Sequence, residues 1–274
     1  MNRPRRLIDD CFIHDKDRLR HAEVLNILSE RLTPVADIET VDLTRANGRV
    51  LAEAVTAPRD IPGFTNAAVD GYAFAASSLG DGETTLKMSM RVQAGTAVKA
   101  TLQQGEAARI FTGAVMPDGT DTCIMQEDAR IDGDSVIIPA GVKPGINVRA
   151  AGEDVKAGAA VVAAGIRLRP PELAAIASTG TAGINAFKPL TVALVSTGDE
   201  IIRPGEAIEV GQVYDSNNSL LTGLLEATGA TVTDLGVLPD DRSVVEAAVR
   251  EAASRFDVII TTGGASRGEA DYIV

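Results

Sequence analysis

The chain has 274 residues, 45% of them hydrophobic and 23% charged, which is ordinary soluble composition and long enough for two or three separate cores. A formal net charge of −12 with no tryptophan excludes a nucleic-acid surface, which needs a basic face and usually stacking aromatics. Residues 1–6 run straight into Leu7-Ile8-Asp9-Asp10 without a secretory pattern, and no apolar run reaches membrane-spanning length, so a cytoplasmic protein with no membrane partner is expected.

Taken in chain order, Val24, Leu25, Leu28 and Leu32 recur at helical spacing over 17–32 and predict an amphipathic helix that Pro34 ends. A strand-and-turn region follows over 41–55. From Pro58 to about Ala140 the pattern changes to short β runs broken by glycine, at 88–92, 108–111, 123–126 and 135–138. Asp132-Gly133, read as the two central residues of a tight turn, predicts a hairpin within this small β domain. The stretch 141–165 is dense in glycine and alanine and carries the charged cluster Arg149, Glu153 and Asp154, as expected of a segment leaving that domain. Pro170-Pro171-Glu172 opens a short helix through Ser178, since proline suits a first turn and an acid suits its positive end. The two cysteines, Cys11 and Cys123, stand far apart without metal-ligand spacing and are read as reduced and structural.

After Lys188-Pro189 the sequence reads β-α-β-α-β. Strands are expected at 192–195, up to Leu238 and at 258–260. Between them, Leu220, Leu221, Leu224 and Leu225 form one helical face, capped by Asp215 or Ser216 and closed by Gly229, and Val244, Val245, Ala248, Val249 and Ala252 form another. Strands separated by helices should run parallel, so their ends open on one rim, where ligands of such sheets bind. Those ends carry Asp199-Glu200, Asp240-Asp241 and the run from Gly263-Gly264 through Ser266 and Arg267 to Asp271. Each pair alone also fits a helix cap or an ordinary turn. Together they offer carboxylates beside a glycine loop, the pairing a magnesium-bound phosphate ligand requires. Upstream, Asp70-Gly71 could likewise be an ordinary turn and Arg109 to Gly113, with Thr112, just a strand ending, and Tyr72 and Phe111 read as core rather than stacking platforms.

Six motifs in order give the sequence a family resemblance: Asn-Ala-Ala-Val-Asp-Gly-Tyr-Ala over 66–73, Arg-Ile-Phe-Thr-Gly-Ala over 109–114, Asn-Val-Arg-Ala-Ala-Gly-Glu-Asp over 147–154, Ser-Thr-Gly-Asp-Glu over 196–200, Tyr-Asp-Ser-Asn over 214–217, and Thr-Thr-Gly-Gly-Ala-Ser-Arg-Gly-Glu-Ala-Asp-Tyr over 261–272. Across essentially its whole length the chain resembles the MoeA family of molybdopterin molybdenumtransferases. The resemblance implies a mixed α/β multidomain fold: an amino-terminal helix and first part of an elongated connecting domain (1–57), an inserted β domain (58–140), the second part of the connecting domain (141–187), and an α/β molybdopterin-binding domain related to MogA (188–274). It also implies that adenylylated molybdopterin and molybdate react with the help of Mg2+ to give molybdenum cofactor and AMP. The catalytic positions would be Asp70, Thr112, Asp154, Glu200, Asp240 and Asp271. Arg149, Gly263, Gly264 and Ser266 would bind substrate, and Glu200 and Asp271 would hold the metal. A homodimer would complete the site across subunits.

Relatives of this kind continue past the point where the sequence stops, with the rest of the α/β domain, a Pro-Gly-Lys-Pro-type loop and a small β domain. A chain truncated at its carboxyl end is therefore expected, with weak or no turnover of its own. Thr65, Ala67 and Ala265 are mild departures from the family pattern. A gephyrin-like scaffold or an inactive fragment of the enzyme is the alternative reading. A generic nucleotide-binding protein lacks support, because no Walker-type Gly-Lys-Ser follows a strand.

Overall fold

Two leucines far apart in sequence, Leu51 and Leu168, are both fully buried in one core, and the path of the chain between them defines the first half of the molecule. The computed structural model describes residues 19–98 and 100–263, so Cys11, Gly264, Ser266, Arg267 and Asp271 lie outside the described residues. The chain divides into two compact units, residues 38–188 and a second made of residues 1–37 with 189–274.

The 38–188 unit begins with β1 (Ile38–Asp42) and β2 (Val55–Thr56), then passes through β3 (Asn66–Ala67) into an inserted sheet. That sheet contains β4 (Gly71–Phe74), β5 (Thr84–Val92), β6 (Glu106–Ile110), β7 (Thr122–Met125), β8 (Arg130–Asp132) and β9 (Ser135–Ile138), in the order β7-β4-β6-β5-β9-β8. All its neighbours are antiparallel except β5 and β6. Alternate residues feed two cores: Ala73, Ala108, Ile110 and Cys123 on one face, Tyr72, Phe74, Ala107 and Ile124 on the other. The chain leaves through β10 (Val148–Arg149) and β11 (Ala160–Val162), and α2 (Pro170–Ser178) and β12 (Gly183–Phe187) complete the connecting core. There β11 pairs with β2 and β12 with β1, both antiparallel, around Leu51, Leu168, Ile176 and Ile184. The glutamate expected to start α2 does so, because Glu172 accepts a hydrogen bond from the Arg169 amide at 2.9 Å.

The hairpin at β8 and β9 is present with its turn one residue later than the sequence suggested. Asp132 pairs with Ser135, so Gly133 and Asp134 are the central residues, and only Gly133 has positive φ (54°). A glycine in first position suits the mirror-image turn that needs positive φ at one residue rather than two.

In the other unit β13 (Thr191–Thr197) is central, flanked in parallel by β16 (Thr231–Leu238) and β17 (Val258–Thr262). Val192, Ala193, Leu194 and Val195 are buried, which is why this strand reads as a continuous apolar run rather than alternating. The short strands β14 (Ile201–Ile202) and β15 (Val213–Tyr214) pair in parallel beyond its end. Helix α3 (Ser216–Ala227) is capped by Asp215, whose Oδ1 accepts from the Asn218 amide at 2.9 Å. Helix α4 (Arg242–Ala253) is capped by Asp241, which takes the Ser243 and Val244 amides at 2.8 and 3.1 Å. Of the expected apolar faces, Val245 and Ala252 of α4 are buried, whereas Leu220 and Leu224 of α3 are exposed.

The amino-terminal helix, α1 (His21–Arg31), forms where its spacing predicts, but Val24, Leu25 and Leu32 remain exposed. No described helix is long and apolar enough to cross a membrane.

Because the inserted sheet and the connecting core are separate clusters, a cavity in one should leave the other standing. Phe74→Ala removes a fully buried ring and should destabilise the inserted sheet by about 3–5 kcal/mol. Amide exchange should accelerate across β4, β6 and β7 while β1 and β12 keep their protection.

Candidate functional site

The entrance to the inserted sheet is held by backbone bonds on both sides of two residues. Ala67 donates to Ala114 O at 3.0 Å and accepts from Gly113 at 2.8 Å, while Ala68 donates to Asn147 O at 2.9 Å. Across β3 and β10, Asn66 stands opposite Arg149. This places the Asp70, Thr112 and Arg149 segments side by side. Asp70 Oδ1 accepts from the Thr112 amide at 2.8 Å and from its hydroxyl at 2.7 Å. Those two bonds, with Arg109 adding a smaller effect, hold the Asp70 carboxyl below its ordinary range.

Arg149 and Asp154 are engaged with one another. Arg149 Nη2 donates to both Asp154 oxygens at 2.7 and 2.8 Å, and its Nε donates to Glu153 at 2.9 Å. The Glu153 and Asp154 carboxylates raise the pKa of the guanidinium. The described arrangement is thus an ion cluster in which two acids engage Arg149 through Nε and Nη2.

In the α/β unit the register brings three strand ends level: Thr197 is opposite Leu238, and Ser196 is opposite Thr262. Glu200, Asp240 and Gly263 therefore share one rim. Gly198 has φ 137°, and the Glu200 carboxylate occupies the space where a side chain at Gly198 would stand, its Oε2 2.6 Å from that Cβ position. Asp240 is fixed through its amide, which donates to Asp199 Oδ1 at 3.2 Å. Gly263 has φ 91°, and a Cβ there would lie 2.5 Å from the Thr197 carbonyl oxygen, so only glycine fits without displacing backbone. The Ser196 and Thr197 hydroxyls are buried at this rim, with no hydrogen-bond partner among the described residues.

Several contributors were not singled out from sequence. Asn217 Nδ2 donates to Thr262 Oγ1 at 2.9 Å and ties the start of α3 to the end of β17. Arg203 bridges Asp215, 3.2 Å away as an ion pair without hydrogen-bond geometry, and Asp234 at 2.6 Å, anchoring the arm that follows Glu200. Phe111, read from sequence as core, instead carries two guanidiniums over its ring, those of Arg91 at 4.8 Å and Arg109 at 4.7 Å. Cross-strand register could have exposed that cluster; motif reading alone could not. Among the described residues no three His, Cys, Asp or Glu side chains gather as a metal-binding group.

A parallel α/β sheet with glycines and carboxylates at its strand ends, together with a connecting core carrying an inserted β-sheet, defines a multidomain mixed α/β protein with a candidate site on the strand-end rim. Residues 19–180 match the MoeA N-terminal region, domains I and II, and residues 193–274 match a probable molybdopterin binding domain. The chain belongs to the MoeA family. A molybdopterin molybdenumtransferase of Haemophilus influenzae is 39% identical over 244 residues, covering 89% of this chain. One from a Nostoc species is 36% identical over 256 residues, covering 92%. A crystal structure of the molybdopterin biosynthesis MoeA protein of Pyrococcus horikoshii superposes with a TM-score of 0.80 at 33% identity, covering 88% of this chain and 65% of that one. The chain spans 60% and 59% of the lengths of the two curated relatives.

Two outcomes follow from this geometry. The Asp70 carboxyl should titrate below the unfolded value of about 3.9. Because its folded pKa is depressed, its stabilising contribution is fully present above the unfolded pKa and lost as pH falls through the folded one. Carboxyl-carbon NMR should show that midpoint rising towards the ordinary value in Thr112→Val. At the other rim, Gly263→Ala should cost about 1–3 kcal/mol in the urea transition of the α/β unit, because positive φ and the Thr197 carbonyl both oppose a side chain.

Proposed function

We propose that the protein this chain represents inserts molybdenum: molybdate reacts with adenylylated molybdopterin, giving molybdenum cofactor and releasing AMP. The observation that carries the reading is the common rim of Glu200, Asp240 and Gly263 in the region matched as a molybdopterin-binding domain. Glycine backbone at Gly263, continued by Gly264 and Ser266, is suited to a phosphate group because amides can approach it closely.

Carboxylate oxygens are the donors a hard divalent cation takes, and Mg2+ commonly uses one or two of them with substrate phosphates and water completing its shell. Glu200, exposed at the rim, fits that donor chemistry, and Asp271 is its proposed companion. A cation there would stabilise charge on the phosphoanhydride oxygens. Asp240 would help orient the substrate. In the other unit Asp70, restrained by Thr112, would act as an ionised acid, and Asp154 would hold Arg149 in place for an anionic substrate. The reading includes a cytoplasmic homodimer in which these acids serve the site of a second copy. It also includes the four-part division at 1–57, 58–140, 141–187 and 188–274.

The test is AMP release by the whole protein from adenylylated molybdopterin, with and without molybdate. Release should depend on molybdate and fall by at least about a hundredfold in Glu200→Gln or Asp271→Asn, each of which removes only a negative charge. Release independent of molybdate, or wild-type rates in both variants, would sink the reading. A scaffold would release no AMP at all.

A further inference from the structure

On the face of the inserted sheet that carries Tyr72, two arginines stand directly beside one another. The parallel register of β5 and β6 pairs Arg91 with Arg109, and the antiparallel register of β4 and β6 pairs Arg109 with Tyr72. Like charges at facing cross-strand positions oppose the pairing. Four other arginines of this unit meet acids: Arg49 with Glu39, Arg130 with Glu83, Arg149 with Asp154, Arg169 with Glu172. In a chain of net charge −12 such partners are plentiful. Among the described residues neither Arg91 nor Arg109 forms an ion pair.

Each guanidinium packs on the Phe111 ring, and that of Arg109 also lies 5.1 Å from the centre of the Tyr72 ring. A ring face attracts cations without neutralising them. Arg109 is further anchored by neutral acceptors, Gly71 O at 3.0 Å from Nη1 and Gln126 Oε1 beside Nη2. Its position is therefore fixed by neutral groups, and Asp70 acts on its charge only from beyond ion-pair distance. Arg91 is exposed, and its planar fork has no hydrogen-bond acceptor among the described residues. Asp70 lies close enough for Arg109 to lower its pKa, and Glu127 is bonded to Gln126 Nε2 at 3.0 Å, but neither acid forms an ion pair with Arg91 or Arg109 among the described residues.

We propose that Arg91 and Arg109, paired across β5 and β6 and each packed on Phe111, form a binding site for a tetrahedral oxyanion, with Arg91 supplying the hydrogen-bonding fork and Arg109 the fixed positive field. A dianion seated there relieves the like-charge contact and accepts the paired N–H groups that a guanidinium offers. The site adjoins Thr112 and Asp70 through Phe111 and Tyr72. That the oxyanion belongs to a substrate, as molybdate or as a phosphate of the adenylylated compound, rests on the reading given above; binding of the anion does not.

The experiment titrates this chain with sodium molybdate and, separately, with AMP at low ionic strength, following the Arg91 Nε–H signal by NMR and affinity by calorimetry. At least one anion should bind with a shift at Arg91, and Arg91→Met, which keeps length over the ring but removes the charge, should weaken it about tenfold or more. Arg91→Lys should recover part of the affinity. The urea midpoint of the inserted sheet should stay unchanged or rise in Arg91→Met, since a repulsion has been removed. Weakening confined to molybdate assigns the inorganic anion as the occupant, and weakening confined to AMP assigns the phosphate. Neither anion perturbing Arg91, unchanged affinity in Arg91→Met, or a lowered urea midpoint would overturn the proposal. Loss of AMP release with anion binding intact would count against the reaction and leave this site standing.

Discussion

The chain must leave one small core and return to it at the same place, and the whole 38–188 unit depends on that closure. Leu51 and Leu168 share the core, Val55–Thr56 lies against Ala160–Val162, and Ile61 and Val155 exchange hydrogen bonds in both directions at 2.8 and 3.0 Å. The entropy of closing so long an excursion grows only logarithmically with its length, so a sheet can be inserted at modest cost once the neck is stable. The neck also decides chemistry. It brings the start of the insertion, with Asp70, beside its end, with Arg149 and Asp154, although more than seventy residues separate them in sequence.

The α/β unit reaches a comparable result by another route. Burial of Val192 to Val195 fixes β13 as the middle strand, and parallel pairing on both sides leaves no choice about where its partners end. Glu200 and Asp240 are placed by the sheet rather than by contacts with each other. This explains how one rim can collect carboxylates although, among the described residues, no three of them gather as a metal-binding group. At the neck, by contrast, Arg149 meets Glu153 and Asp154 directly, and Asp70 is held by the neutral amide and hydroxyl of Thr112.

Much of the architecture was legible because period and punctuation agreed. The helix from Pro170 to Ser178 begins at its prolines, α3 and α4 begin at Asp215 and Asp241, and three strands end where glycine or carboxylate replaces the apolar run. The turn at Gly133 was misplaced by one residue because Asp-Gly satisfies two turn types, and only the pairing of Asp132 with Ser135 separates them. Phe111 was misread for a deeper reason. Whether an aromatic is core or platform depends on which side chains lie across the strands, and register between β4, β5 and β6 is not written in any single motif. The exposure of Leu220 and Leu224 shows the same limit: a helical stripe states that a face is apolar, never what covers it.

Cys123 sits at the centre of the insertion, and its environment gives the molecule a built-in clock. Burial among Ala73, Ala108 and Ile110 pushes its thiol up to about 11, so almost none is thiolate near neutral pH and the sulfur is shielded from solution. Alkylating reagents can reach it only when the core around it opens. The speed at which this one sulfur is modified therefore measures how often the inserted sheet breathes, with no label added and no residue changed.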